Sequence, residues 1–311
     1  MKKDNKNILD SGLSDKTASN QQRILLRSGT YNVIRKGKKI GLGDAYQFFI
    51  SLSWPKLIGL VFLGFVFVNI LFALLYMAIG VEHLSGIPKQ SKWEDFLSCF
   101  YFSCQTYTTV GYGGISPSGH LTSSLSAFES LFGLLSFSLA TGIIFGRFSK
   151  PIAKVAYSEN ILVAPYGKNN VEYGLMFRMV NQRDTLLSNA RIHVMYSMDI
   201  LENGSYKRIY KALNLEIDRI KMFPLTWTVV HPIDENSVFY GLTQEDLQKQ
   251  KVEIMVMTEA FDEKFNDVVH SRTSYIPKDF VFGAKFLPAQ QVNSDGIMEI
   301  DLEKIGEFEI V

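Results

Sequence analysis

The sequence predicts a membrane α protein joined to a β-rich domain: two transmembrane helices with a re-entrant helix and loop between them, then a C-terminal immunoglobulin-like β-sandwich. Three observations lead there. Residues 57–79 and 121–145 are apolar runs long enough to cross a bilayer. Between them lies an aromatic stretch too short to cross, which ends at two glycines flanking a tyrosine. From about residue 160 the chain changes to short segments rich in β-branched and aromatic residues, divided by turns.

Composition sets the bounds. Of 311 residues 47% are hydrophobic and the formal net charge is +1, too polar for an all-membrane protein. That length accommodates one membrane unit and one soluble unit. The expected divisions are an N-terminal tail at 1–40, an interfacial helix and two-span unit at 41–151, and the β-sandwich at 152–311. Near-neutral charge offers no reason to expect nucleic acid as a partner. Cys99 and Cys104, five apart and without a His/Cys cluster, suit neither a disulfide framework nor a zinc site and read as apolar fillers. Residues 1–20 carry lysines but no apolar core, so they read as a disordered tail rather than a signal peptide.

Residues 57–79, LIGLVFLGFVFVNILFALLYMAI, are uncharged. Pro55 suits a first helical turn, and Trp54 and Tyr76 stand where interfacial aromatics anchor a span. Asn69 is its strongly polar side chain, read as an interhelical hydrogen bond rather than a functional group. Ser91 with Glu94 three residues on forms a capping-box pattern before an apolar aromatic run, giving a re-entrant helix at 91–107. The second span is rich in Ser, Thr and Gly, residues that permit close packing, and carries Glu129. A carboxylate inside a span is costly and turns to protein or water, which makes Glu129 a candidate functional residue.

Basic residues set the orientation. Arg35, Lys36, Lys38, Lys39 and Lys56 precede the first span, and Arg147, Lys150 and Lys154 follow the second, against Lys89 and Lys92 between them. Both termini are expected on the cytoplasmic side of the cell's inner (plasma) membrane. DAYQFFISLS, residues 44–53, reads as a short helix lying in that interface. The strands ARIHVMYSM, PLTWTVVHPI and VEIMVMTEA follow, with ENGS marking a turn. No GxGxxG, P-loop or HExxH is present, which disfavours a nucleotide-binding regulatory domain.

The loop TTVGYG, residues 108–113, is neither helix nor barrel, and such backbone survives at membrane depth only where protein buries it or it lines a water-filled cavity. Gly111 and Gly113 permit backbone angles closed to other residues, so successive carbonyls can turn toward one axis. Several copies are then needed to surround an ion, which a closed symmetric oligomer supplies. TVGYG resembles the filter of potassium channels, whose carbonyl rings replace the ion's hydration shell.

The whole layout resembles the inward-rectifier potassium channel family, and its bacterial members in particular. The resemblance spans roughly residues 44–286. Beyond the filter it rests on Ser53-Trp54-Pro55, GRFSKP at 146–151, FRMVNQR at 177–183, TVVHPIDENSVFYGLT at 228–243 and SRTSY at 271–275. It implies a homotetramer passing K+ passively, with no cofactor. By position Thr109, Val110, Gly111, Tyr112 and Gly113 form the filter, the first four supplying oxygens to K+, while Glu129 braces the helix behind them. Phe137 and Thr141 face the inner cavity. Phe145 matches a gate at the inner-helix crossing, with a lipid-facing ring as the alternative. Glu259 matches a vestibule acid, with a solvated surface charge as the alternative.

Departures from the family pattern bear on regulation. Phe137 stands where strongly rectifying relatives carry an acid, so voltage-dependent block there is expected to be weak. Asn189 replaces another common vestibule acid, and Gln105 the acid that braces the filter in animal members. Ser53 and Pro55 replace basic positions, leaving Lys150 and Lys154 as contacts for anionic lipid head groups. Phosphoinositide activation is therefore not expected. Competing readings are a two-span channel with a nucleotide-binding domain, which the β-rich half opposes, and a poorly selective cation channel, which the intact TVGYG opposes. A membrane-tethered binding module leaves Glu129 and the loop unexplained. An enzyme finds no support, since His83, His120, His193, His231 and His270 are scattered without a nucleophile motif.

Overall fold

A computed structural model describes residues 23–37, 41, 44–88, 91–149, 151, 153–168, 171–202 and 204–311. Contacts divide the chain into Gly37–Lys150 on one hand and Met1–Lys36 with Pro151–Val311 on the other. Along the chain the first unit is thus inserted between two parts of the second.

The first unit begins with α1 (Asp44–Ser51), a short helix without a buried residue. Next comes α2 (Trp54–Ile79), which Pro55 starts inside its first turn and Gly80, at φ 118°, ends. Its 26 residues reach about 39 Å. A two-residue strand β1 (Leu84–Ser85) precedes α3 (Lys92–Tyr107). Ser91 caps α3 as the sequence predicts: its backbone N–H donates to Glu94 Oε2 at 3.0 Å, and the Glu94 N–H returns to Ser91 Oγ at 3.4 Å. Strand β2 (Ser116–Pro117) pairs antiparallel with β1, and α4 (His120–Phe148) completes the unit. Both long helices have the length and composition of membrane spans. Phe72, Ala73, Tyr76, Cys99 and Phe102 form the core between α2 and α3, with Cys99 a buried free thiol.

The second unit is a β-sandwich. One sheet joins β3 (Val155–Tyr157), β4 (Ile161–Lys168), β5 (Val171–Asn181), β9 (Trp227–Ile233) and β12 (Phe280–Phe282). The other joins β6 (Leu187–Glu202), β7 (Ser205–Ala212), β8 (Arg219–Met222), β10 (Glu253–Asp262) and β11 (Asp267–Tyr275). Alternation along β9, with Trp227, Val229, His231 and Ile233 buried, sets its inward face. Phe177, Val194, Val229, Ile254 and Tyr275 from both sheets meet in one core. The short α5 (Gln244–Lys249) follows Thr243, which caps it. The pairs β13 (Ala284–Phe286) with β16 (Phe308–Ile310), and β14 (Gln290–Val292) with β15 (Met298–Ile300), finish the chain.

Residues 1–20, expected to be a tail, lie outside the described residues. Arg23 onward belongs to the β unit. The N–H groups of Ile24 and Leu25 both donate to the fully buried carboxylate of Glu253 at 3.0–3.2 Å. Arg23 Nε donates to Ser274 Oγ at 2.9 Å, and Ile24 and Leu25 pack on Met195, Tyr210 and Met255. Glu253 also lies 3.6 Å from the buried Arg208, which bonds Asp199 at 3.1 Å.

Candidate functional site

The candidate pathway starts where α3 stops. Thr108 closes the helix, its hydroxyl donating to the Cys104 carbonyl at 2.7 Å. The next N–H groups turn back on the same helix end: Thr109 to the Thr106 carbonyl at 3.1 Å, Val110 to that of Gln105 at 2.9 Å, and Gly111 to Gln105 at 3.4 Å. With these donors committed backward, the loop's own carbonyls have no helical partner. Left-handed backbone recurs at alternate residues, with φ 61° at Thr109, 54° at Gly111 and 81° at Gly113. Such alternation turns successive peptide groups to one side. For glycine this conformation is free, but for the β-branched Thr109 it is strained, a feature that concentrates at functional sites. Sequence reasoning named Thr109 together with the two glycines but did not foresee its left-handed backbone, because nothing in its residue type advertises a positive φ.

A buried polar network links the three long helices of this unit. Glu129, Tyr76, Ser103 and Asn69 are each fully buried. The Tyr76 hydroxyl donates to Glu129 Oε2 at 2.6 Å, while Ser103 Oγ contacts Glu129 Oε1 and lies 2.9 Å from Asn69 Oδ1. Asn69 Nδ2 returns to the Phe65 carbonyl at 2.8 Å. One carboxylate thereby ties α2, α3 and α4 together. Ser103 was absent from the sequence candidates and Tyr76, read as an interfacial anchor, is instead fully buried, since their shared partner lies 26 and 53 positions away. Close packing adds to the network. A Cβ on Gly133 of α4 would stand 2.0 Å from the Tyr107 carbonyl oxygen, and one on Gly86 2.0 Å from that of Gly114.

The remaining predicted positions fall as follows. Val110 and Tyr112 are 52% and 82% exposed in the single chain, and Phe137, Thr141 and Phe145 form an exposed stripe at four-residue spacing on α4. At the start of α2, the Arg147 guanidinium lies 4.5 Å from the Trp54 ring centre, and Phe148 packs on the same ring at 4.9 Å. One Arg147 nitrogen is enclosed without a hydrogen-bond partner. Lys150 lies outside the described residues, and Lys154 is exposed. In the β unit Glu259 is half-exposed and paired with Arg191 at 3.3 Å, beside Arg219 and Asn189. That partial neutralisation weakens any attraction Glu259 exerts on cations. Among the described residues no His, Cys, Asp and Glu cluster forms a metal-binding group.

Two membrane-crossing helices that hold a capped helix and a carbonyl-bearing loop define a pore-forming membrane channel. Comparison with known proteins narrows the class. Residues 155–311 match the family model for the inward rectifier potassium channel C-terminal domain, and residues 57–150 match that for ion channels. The chain is 33% identical over 297 residues to the inward rectifier potassium channel Kirbac3.1 of Paramagnetospirillum magnetotacticum, covering 94% of this chain and 98% of that one. It is 25% identical over 311 residues to the ATP-sensitive inward rectifier potassium channel 15 of Homo sapiens, covering 93% and 83%. The chain belongs to the inward-rectifier potassium channel family. It is a potassium channel of the membrane, in a family of channels rather than enzymes.

Proposed function

We propose that four copies of this chain surround one axis in the cell's inner membrane, with both termini cytoplasmic, and pass K+ through a filter made by residues 109–113. The observation that carries this reading is the alternating left-handed backbone at Thr109, Gly111 and Gly113, with the adjacent N–H groups drawn back to Gln105 and Thr106. That geometry frees carbonyls to replace water around a bare cation. A single copy cannot enclose an ion, and the exposure of Val110, Tyr112, Phe137 and Phe145 supports their facing other copies. Glu129 braces the filter from behind through Tyr76 and Ser103.

In this reading Phe137 and Thr141 line the inner cavity, and the four Phe145 rings close the path by excluding water. Glu259 contributes a weak vestibule charge because Arg191 shares it. Lys150 and Lys154 meet anionic lipid head groups, each adding about 1 kcal/mol of attraction. Arg147, stacked on Trp54 with an unmet donor, joins them. The working units are the two-span unit at 41–151 and the β unit at 152–311, on which residues 23–31 of the expected 1–40 tail pack, with the β unit coupled to the gate through both flanking connections.

Flux into liposomes tests the reading. Uptake of K+ and Rb+ but not Na+, lost in Gly111→Asp, is the expected outcome. Equal Na+ uptake refutes the filter assignment, and silence that persists after lipid exchange refutes conduction by the purified protein.

A further inference from the structure

We propose that the β unit carries a second ligand site, for a small organic cation with an apolar body, in the cavity between β5, α5 and the segment from residue 233 to 242. The cavity holds about 920 Å3, within the span of small-molecule sites. Its floor is apolar and buried, formed by Leu175, Phe239, Leu247 and Phe280. An apolar body therefore gains by entering.

The mouth is chemically one-sided. Glu172, Asp234 and Glu235 line it, with no Lys or Arg among the lining residues. Among the described residues none of these three carboxylates forms an ion pair; Asp234 Oδ1 accepts the Asn236 N–H at 2.9 Å. Tyr173, Tyr240 and Phe282 stand beside them, 47%, 59% and 37% exposed, with no aromatic or cationic partner on their rings among the described residues. Carboxylates together with open ring faces select a cation, and ring faces favour an ammonium carried on carbon. Anionic ligands are repelled by the same mouth. A bare divalent ion is disfavoured as well, because no three of the described acidic or His/Cys side chains converge as metal ligands.

The wall is held in shape before any ligand arrives. The His231 Nδ1–H donates to the Asn214 carbonyl at 2.5 Å, so Nε2 accepts from the Ser237 hydroxyl at 2.8 Å. Ser237 Oγ in turn accepts the Phe239 N–H at 3.2 Å, and Phe239 packs edge-on against Tyr196 and His231. A preformed wall avoids ordering costs on binding.

Calorimetric titration of the purified full-length channel in potassium buffer, with phenethylammonium as probe and 2-phenylethanol as its neutral counterpart, tests the site. Saturable binding of the cation at least tenfold tighter than the alcohol is expected, a difference of about 1.4 kcal/mol. The combined variant Glu172→Gln, Asp234→Asn and Glu235→Gln should lose at least tenfold in cation affinity at an unchanged melting temperature. Tyr240→Ala, which leaves all three acids in place, should lose about threefold to fivefold. Absence of saturable binding, as when a basic side chain of a neighbouring copy already fills the cavity, overturns the proposal. So does equal affinity for the alcohol, or cation binding that survives the acid-neutralised variant, which locates the probe in the pore.

Discussion

Gly133→Ala probes the contact on which the proposed filter rests. The added Cβ would sit 2.0 Å from the Tyr107 carbonyl oxygen, 2.8 Å from its carbonyl carbon and 3.1 Å from its Cα. All three are backbone atoms, so no side-chain rotation relieves the clash. Since Cβ atoms essentially never approach within 3.0 Å, α3 and α4 must part by about 1 Å at this point. Overpacking of this kind costs about 1–3 kcal/mol. The displaced residue immediately precedes Thr108, and the 3.4 Å bond from the Gly111 N–H to Gln105 has no slack to absorb the movement. Thermal unfolding of the purified channel and the ratio of K+ to Na+ uptake in liposomes report the two consequences. Both should fall in Gly133→Ala and hold in Gly59→Ala, whose Cβ on α2 meets nothing within 4 Å. Wild-type stability and selectivity in Gly133→Ala would refute the claim that close approach of α4 sets the filter's position.

Three further outcomes follow from buried groups. Glu129→Ala strands the Tyr76 hydroxyl, at about 1–3 kcal/mol for the donor left unmet, while Ser103 keeps Asn69 as its acceptor, and should abolish K+ uptake while leaving circular dichroism of the β unit unchanged. Glu253→Ala removes an acceptor for Ile24 and Leu25 and one anion from Arg208, costing about 3–5 kcal/mol; trypsin should then cut after Arg23 and Arg27 markedly faster than in the wild type. Burial holds the His231 imidazole below its ordinary range, so the folded chain takes up fewer protons than the unfolded one there. Its contribution to stability is complete above about pH 6.5 and declines as pH falls below that, by at most about 1.4 kcal/mol per pH unit. Urea titrations between pH 5 and 7.5 should show this slope in the wild type and a flatter one in His231→Gln.

Much of the membrane unit was legible because its signals are local. Ser91 and Glu94 are three residues apart, so the capping box can be read directly, and the spans follow from unbroken runs of apolar residues. Glu129 stood out because an intramembrane carboxylate is too costly to be idle. Its partners were not legible, for periodicity cannot show that Tyr76 and Ser103 point at one atom pair from different helices. Arg147 read only as one of several orienting charges until α4 brought it over Trp54. Glu259 looked like a bare acid because Arg191, on the neighbouring strand, is 68 positions away in the chain.

By itself the sequence determined the class of protein, the order of its elements and the loop that names its ion, since composition, span length and motif depend on neighbours along the chain. Tertiary structure alone decided that the segment from Arg23 to Tyr31 belongs to the β unit, through a Glu253 carboxylate 228 residues from Leu25. It also decided that Thr109 adopts a left-handed backbone its residue type resists, and that a glycine on α4 admits the end of α3. Each of these is a contact between distant residues, made favourable by burial and by the need to pair every buried polar group, and neither condition is written in any local stretch of sequence.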